Sequence, residues 1–375
     1  MTVKGSRGPR ALLLGALTLA LTLACAQPGG GRTAPAAAPG ASAPTGSTSA
    51  AGPAAAAPSA GAAAPAPTSS VPAPLTKVRM AVTAQGATSW HPAIANDRGY
   101  FQQEGIDFEI LTIPSSVTQT QALIAGDVQI NTYSVDSVAK AVVGGAPLKL
   151  IGSAQEVPSF VLIVDHDIKT WNDLRGKTLG AGSPGGYYDV ILRAMLTANG
   201  LHDGDYQLRS IGNSNLRLPA IQAGQISGAI VGDTDGYVAD AQGYQSLGSV
   251  HQYVKDVQYT GYAIADAWGK SNEDVVVGFL RGVLRAIAWL NDPANKTEAK
   301  RIYHEISGLE EPYLEESYDQ MVVQKMMSTT ARPNMKGLEN IGALTYQYGG
   351  LQFIPPLDSW VDMSYLDKAE RTLSR

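Results

Sequence analysis

Gly182-Ser183-Pro184-Gly185-Gly186 lies between a short apolar strand pattern over 178–181 and a helical pattern over 187–199. A strand–turn–helix junction of this kind presents free main-chain N–H groups and the positive end of a helix dipole, which suits an anion such as a sulfonate or carboxylate. Tyr187 and Tyr188 follow directly and add aromatic surface and hydroxyl donors. The alternative is a glycine turn followed by two core tyrosines. Trp90-His91 forms a second group of interest. The indole stacks on flat molecules and the imidazole donates hydrogen bonds, unless Trp90 fills the core and His91 caps a helix.

Other polar residues gather where strand patterns run out. An open α/β sheet offers ligands the loops beyond the carboxyl ends of its strands. In the first half of the body these loops are 83–91, 114–118 and 132–136, carrying Gln85, Thr88, Ser115, Ser116, Tyr133 and Ser134. In the second half they are 183–188, 213–215 and 232–235, carrying Asn213, Asn215 and Asp233. Asp136, Asp233 and Asp235 lack companions at calcium-loop spacing, so turns or bonds to ligand N–H groups are expected rather than a metal. Arg217 follows the Asn213 loop, either as partner for an anionic ligand or as a solvated helix start.

Signatures of catalysis are weak. Gly180-x-Gly182-x-x-Gly185 matches the dinucleotide fingerprint, but the next strand ends in Ile211-Gly212-Asn213, without the acid that grips a ribose. His166, His202, His251 and His304 stand in separate segments, with no HExxH pair. Cys25 is the only cysteine, which rules out an internal disulfide and a thiol nucleophile in the body. No catalytic residue, metal or cofactor is expected.

The elements that must position these residues alternate between strand and helix. Residues 77–82 read as a strand, followed by a polar loop and a helix with Pro92 near its start. Residues 106–111 alternate as a strand, 117–125 form a helix ended by Gly126, and 128–132 form another strand. The pattern recurs: strand 160–164, turn 171–177, strand 178–181, helix 187–199, strand 207–211, helix 216–223 and strand 228–231. Two tandem β-α-β-α-β runs predict two similar α/β lobes with parallel pairing. After about 261 the chain reads as helical, with Val276, Phe279, Leu280, Val283, Ile287 and Leu290 on one helix face.

The first 75 residues are of another kind. Lys4, Arg7 and Arg10 precede an apolar run over 11–24, too short to span a bilayer, that ends in Leu21-Thr22-Leu23-Ala24-Cys25. This resembles a bacterial lipobox, with Thr22 where leucine is usual, and it implies export and lipidation at Cys25. Residues 26–75 are nearly all Ala, Pro, Gly, Ser and Thr, with Arg32 the only charge. Such a segment buries too little apolar surface to fold and is expected to act as a tether. The remaining body carries 24 basic against 33 acidic residues, a net charge of −9, which argues against nucleic acid as partner.

Four runs then suggest a family. Arg98-Gly99-Tyr100-Phe101-Gln102-Gln103-Glu104-Gly105-Ile106-Asp107-Phe108 resembles the GYFxxEGLDV run of the NMT1/THI5-like and SsuA/TauA/NrtA-like solute-binding proteins. Residues 122–130, ALIAGDVQI, are similar to their aLxaGdvD element, and 173–180, DLRGKTLG, to their DLKGKkiG element. Residues 218–229, LPAIQAGQISGA, resemble aLxaGqvDA, with Ser227 and Gly228 where Asp-Ala is common. The four occur in the family's order and the resemblance covers roughly 76–350. It implies a type II periplasmic binding protein fold, two lobes with mixed, mostly parallel sheets joined by a two-strand hinge. The expected organisation is a signal over 1–25, a tether over 26–75, lobe I over 76–160, lobe II over 161–260, and a return to lobe I with C-terminal helices over 261–375. The implied function is capture of a small organic solute and delivery to an ABC permease with a separate ATPase subunit, by a lipid-anchored monomer outside the cytoplasm. The alternatives are a THI5-like enzyme of pyrimidine biosynthesis and a module that feeds a sensor receptor. Within the family, ligands range over sulfonates, other small anions and thiamine-precursor pyrimidines.

Overall fold

A computed structural model describes residues 74–373, and for Asp233 the backbone alone. Cys25 and the expected signal and tether lie outside the described residues. The body holds two five-stranded sheets. The first comprises β1 (Thr76–Val82), β2 (Ile106–Thr112), β3 (Ile130–Ser134), β4 (Leu148–Gln155) and β10 (Thr260–Ala265), in the order β2-β1-β3-β10-β4. The second comprises β5 (Phe160–Val164), β6 (Thr178–Ala181), β7 (Gln207–Ser210), β8 (Gly228–Gly232) and β9 (Gln245–Ser249), in the order β7-β6-β8-β5-β9.

Both sheets are mixed. Within the first, β1 pairs in parallel with β2 and β3, while β10 runs antiparallel between β3 and β4. In the second, β6 is parallel to β7 and β8, while β5 runs antiparallel between β8 and β9. The chain passes from the first sheet to the second through 156–159 and returns through 254–259. Here the two crossings touch: the Tyr259 N–H donates to the Glu156 carbonyl at 3.0 Å. Two glutamines brace this hinge. The fully buried Gln258 amide donates to Ser153 Oγ, Gln155 O and Thr260 O, and its carbonyl accepts the Asn334 N–H at 2.9 Å. Gln155 donates to Val157 O and Ser159 Oγ.

The helices that matter below are α1 (Ala87–Asp97), α2 (Ser116–Ala125), α3 (Val135–Val143), α4 (Tyr187–Ala198), α5 (Arg217–Gln222), α6 (Asp233–Ala241), α7 (Glu273–Leu290), α8 (Lys296–Ser307), α9 (Tyr313–Tyr318) and α10 (Met335–Gln347). The face of α7 read from the sequence is buried, Phe279 packing 5.4 Å from Phe101 with parallel rings. Burying such a ring is worth about 1.5–3 kcal/mol. The close approach of α7 depends on Gly282, where a Cβ would stand 2.6 Å from the Phe101 ring.

The family-like runs are fold chemistry. Gly105 and Gly126 adopt left-handed φ values of 73° and 82° where helices end, which an L side chain resists. Glu104 is 7% exposed at its side chain and takes Arg281 and Arg285 of α7, tying β2 to that helix. The strand expected over 128–132 lies two residues later, at Ile130–Ser134, because 126–129 form the turn that brings the Gln129 N–H to Arg79 O.

Candidate functional site

The chain segments after β3 and β6 face each other between the two sheets, where Lys140 reaches the Gly185 carbonyl. On lobe II the 182–186 loop is a tight turn. The Gly186 N–H bonds to Ser183 O at 2.9 Å, and Gly185 sits at φ 69°. The Gly185 N–H donates to the Asp189 carboxylate at 2.9 Å, and Asp189 also takes Arg193 at 3.2 Å. Two donors expected for an anion are therefore spent within the protein, and a carboxylate already occupies the helix start. These bonds weigh against the expected anion cradle, since α4 supplies its own acid one turn in.

Of the two tyrosines, Tyr187 is 4% exposed and donates to Gln258 O at 3.3 Å, its ring 4.9 Å from Tyr259. Burial first, then the negative charge of Asp136, holds its hydroxyl well above the usual phenol range. It is a hinge contact. Tyr188 is half-buried, with its ring 4.8 Å from Phe160 and the Arg217 guanidinium 4.3 Å from its centroid. Ser183 is exposed beside them.

Asn213 and Asn215 are exposed, and the residue between them makes the bonds. Ser214 Oγ accepts the Gly232 N–H at 2.8 Å and donates to Asp235 at 2.5 Å, joining the ends of β7 and β8. Alternating polar loops in a sequence give no sign of which serine faces inward. Asp233 opens α6, and its side chain lies outside the description.

Lobe I differs. Gln85 is exposed and Thr88 half-buried, while Ser89 makes the α1 cap by bonding both ways with Gly86. Trp90 is fully buried: its N–H donates to Ala299 O at 3.1 Å and its ring stacks 4.3 Å from Tyr303. It therefore pins α1 to α8 and is not a platform for a flat ligand; the α1 turn points it away from the cleft. His91 is 1% exposed, within the helix rather than at its cap, and both ring nitrogens lack a protein partner among the described residues. Burial lowers its pKa to about 3, so it is neutral.

Ser115 caps α2 through the Thr118 N–H at 3.3 Å, and Ser116 is half-buried behind it. Tyr133 is buried with its hydroxyl 3.1 Å from Thr120, and Ser134 lies 3.1 Å from Ser137. Sequence reasoning missed Asn131 and placed Thr132 in a loop after the strand; both lie within β3 and are 0% and 1% exposed. They stand level with Ala81 and Val82, the last residues of β1. Among the described residues both amide atoms of Asn131, the Thr132 hydroxyl and one oxygen of Asp136 lack a well-formed hydrogen bond, although Asn131 lies close enough to the Tyr133 hydroxyl to act on it. Four polar groups so placed are uncommon, since buried polar atoms are nearly always bonded. The only signal was two polar residues inside an apolar strand.

Several contacts tie the lobes. Lys140 of α3 reaches Asp136 Oδ2 and the Gly185 carbonyl, each at 2.5 Å. On another side Tyr237 of α6 stacks on Tyr313 of α9, with ring centres 5.9 Å apart and planes 3° from parallel. The 349–350 strap also meets the Ser183 loop, where a Cβ on Gly185 would stand 2.8 Å from the Gly350 Cα. Among the described residues no cluster of His, Cys, Asp and Glu has metal-site geometry, and no helix is long and apolar enough to cross a membrane.

Two hinged α/β lobes around a cleft define the periplasmic binding protein fold. The chain belongs to the NMT1/THI5-like family, which it matches over residues 92–296, more than half its length. It is 22% identical over 308 residues to YtlA of Bacillus subtilis (strain 168), which carries the name of a binding protein; the match covers 78% of this chain and 90% of that one. Over 151 residues it is 32% identical to the 4-amino-5-hydroxymethyl-2-methylpyrimidine phosphate synthase of Schizosaccharomyces pombe, covering 38% of this chain and 42% of the synthase. Among solved structures, the periplasmic nitrate-binding protein NrtA of Synechocystis PCC 6803 superposes with TM-score 0.64 at 15% identity, covering 80% of this chain and 89% of NrtA. The periplasmic aliphatic sulphonate binding protein SsuA of Escherichia coli gives 0.61 at 17% identity, covering 76% and 91%. At these identities the likeness is one of fold.

Proposed function

We propose that this protein is an exported, lipid-anchored solute-binding component of an ABC importer that captures a small organic solute by closing its two lobes. The observation that carries the reading is the pair of facing segments after β3 and β6, joined by a braced two-strand hinge and bridged by Lys140 and by Tyr237–Tyr313. Such contacts are made on closure and released on opening, the hinge motion that periplasmic binding folds use. The sulfonate- and nitrate-binding neighbours support a small anion as solute, and the synthase relative supports a pyrimidine. Cys25 would carry the lipid, residues 26–75 would give reach, and a permease with its own ATPase would receive the solute from the closed monomer.

A thermal-shift screen of the purified protein against sulfonates, aromatic carboxylates, nitrate, bicarbonate and pyrimidines tests it. Solute at a hundredfold excess over its Kd should add about 2.7 kcal/mol of stability. No stabilisation by any member, with no molecule carried through purification by native mass spectrometry, would contradict solute capture. The synthase relative favours a second reading, chemistry on a pyrimidine in the same cleft. Recovery of every bound solute unchanged by mass after prolonged incubation argues against it.

A further inference from the structure

The side chain of Arg217 is 0% exposed at the carboxyl edge of the second sheet. Its Nε donates to Ile211 O at 3.1 Å, one terminal nitrogen to Ile230 O at 2.6 Å and the other to Gly212 O at 3.0 Å. Among the described residues no carboxylate lies within ion-pair distance of it. Asp235, whose charge acts on it, is engaged by Ser214. Asp189 of the same lobe is taken by Arg193, and Asp136 across the cleft by Lys140. A buried guanidinium is ordinarily held by a carboxylate, because taking its charge out of water costs several kcal/mol. Here three main-chain carbonyls hold the fork, the Tyr188 ring lies over it, and among the described side chains no carboxylate pairs with it directly.

Tyr188, half-buried, lies against the guanidinium, and Gly182 leaves the space both require, since a Cβ there would stand 3.3 Å from Tyr188 Cβ and 3.6 Å from the Arg217 terminal nitrogen. We propose that Arg217 sets the specificity of the cleft for a solute with an anionic group, which sits at the Tyr188 edge of lobe II and takes its counter-charge from the guanidinium beneath. Arg217 acts through Tyr188 and the local field, as a positioning residue, without touching the solute. The inference rests on the solute-capture reading and replaces the Ser183 loop as the source of anion preference.

Charged and neutral probes of one shape test it. Titration calorimetry of the full chain would compare ethanesulfonate with ethanesulfonamide, and benzoate with benzamide. The unaltered protein is expected to prefer the charged member of a pair. Arg217→Lys is expected to keep that preference. Arg217→Met is expected to lose it by roughly tenfold or more, the scale of one unit charge acting at several ångströms near a protein surface, while affinity for the neutral member stays within about threefold. Arg217→Gln, which keeps donors for the carbonyls without the charge, replaces Arg217→Met if that variant does not fold. Equal weakening of both members in the neutral variants would overturn the proposal and leave Arg217 as a strut. Binding of neutral pyrimidines with no binding of either anion would overturn it while solute capture stands. No binding of any probe or pyrimidine would overturn both.

Discussion

The two faces of the cleft are built on opposite plans. On lobe II almost every inward polar group is satisfied by the protein: Ser214 by Gly232 and Asp235, Arg217 by three carbonyls, Gly185 by Asp189 and Lys140. On lobe I, among the described residues, the buried His91 ring, Asn131 amide, Thr132 hydroxyl and one Asp136 oxygen have no well-formed hydrogen bond. The difference teaches where specificity is written. A saturated face is a rigid reference that fixes charge and shape. An unsatisfied face carries a standing cost, about 1–3 kcal/mol for each buried group left unpaired, and whatever enters the cleft and bonds to those groups recovers it.

Several changes would break or sharpen that contrast. The largest effect is expected where neither face is touched. Trp90→Ala should cost about 3–5 kcal/mol through lost packing against Tyr303 and leave solute affinity of the folded protein nearly unchanged, as denaturant melts and calorimetry would show. Lys140→Met removes the partner of a buried Asp136 and the bond to Gly185. It should cost roughly 2 kcal/mol, below the range for fully buried pairs because Lys140 is partly exposed, and weaken solute binding by favouring the open form.

A third expectation concerns pH. His91 has its pKa lowered by burial to about 3, so the unfolded chain binds a proton that the folded one refuses. Stability from this residue is full above the unfolded value and falls as pH drops through the window between about 6.5 and 3, reaching a loss of about 2 kcal/mol at pH 5. His91→Gln should flatten that part of the stability–pH curve. Smaller effects separate the faces directly. Ser214→Ala should destabilise lobe II by about 1 kcal/mol, since it strands the Gly232 N–H. Asn131→Leu should leave stability level or raise it by about 1 kcal/mol, since it removes unpaired atoms, while lowering solute affinity.

Much of the fold was legible in the sequence because its signals are local. Gly105 and Gly126 end helices by backbone freedom, and α7 shows its buried face by spacing. The antiparallel seat of β10 between β3 and β4 was not legible, because it pairs Tyr262 with Thr132 across 130 residues and no local pattern carries such a register. The site was legible only in outline. Loops after strands offer candidate residues, but not which donors the protein consumes itself. Asp189 answers Gly185 from one helical turn away, and Ser214 rather than its asparagine neighbours turns inward. Trp90 reads as a binding aromatic by type and as a core residue by the turn of its helix. Arg217, readable as an anion partner or as a solvated helix start, is fully buried.

Capture by lobe closure is tested most directly by a distance across the cleft. Val117 and Leu216 are exposed on opposite lobes, 66% and 53% accessible. Spin labels at Val117→Cys and Leu216→Cys, with Cys25 replaced, would report the distribution by pulsed electron resonance. The account predicts a broad distribution that collapses to its short component when a solute that raises the melting temperature is added. An unchanged distribution at saturating solute would contradict it.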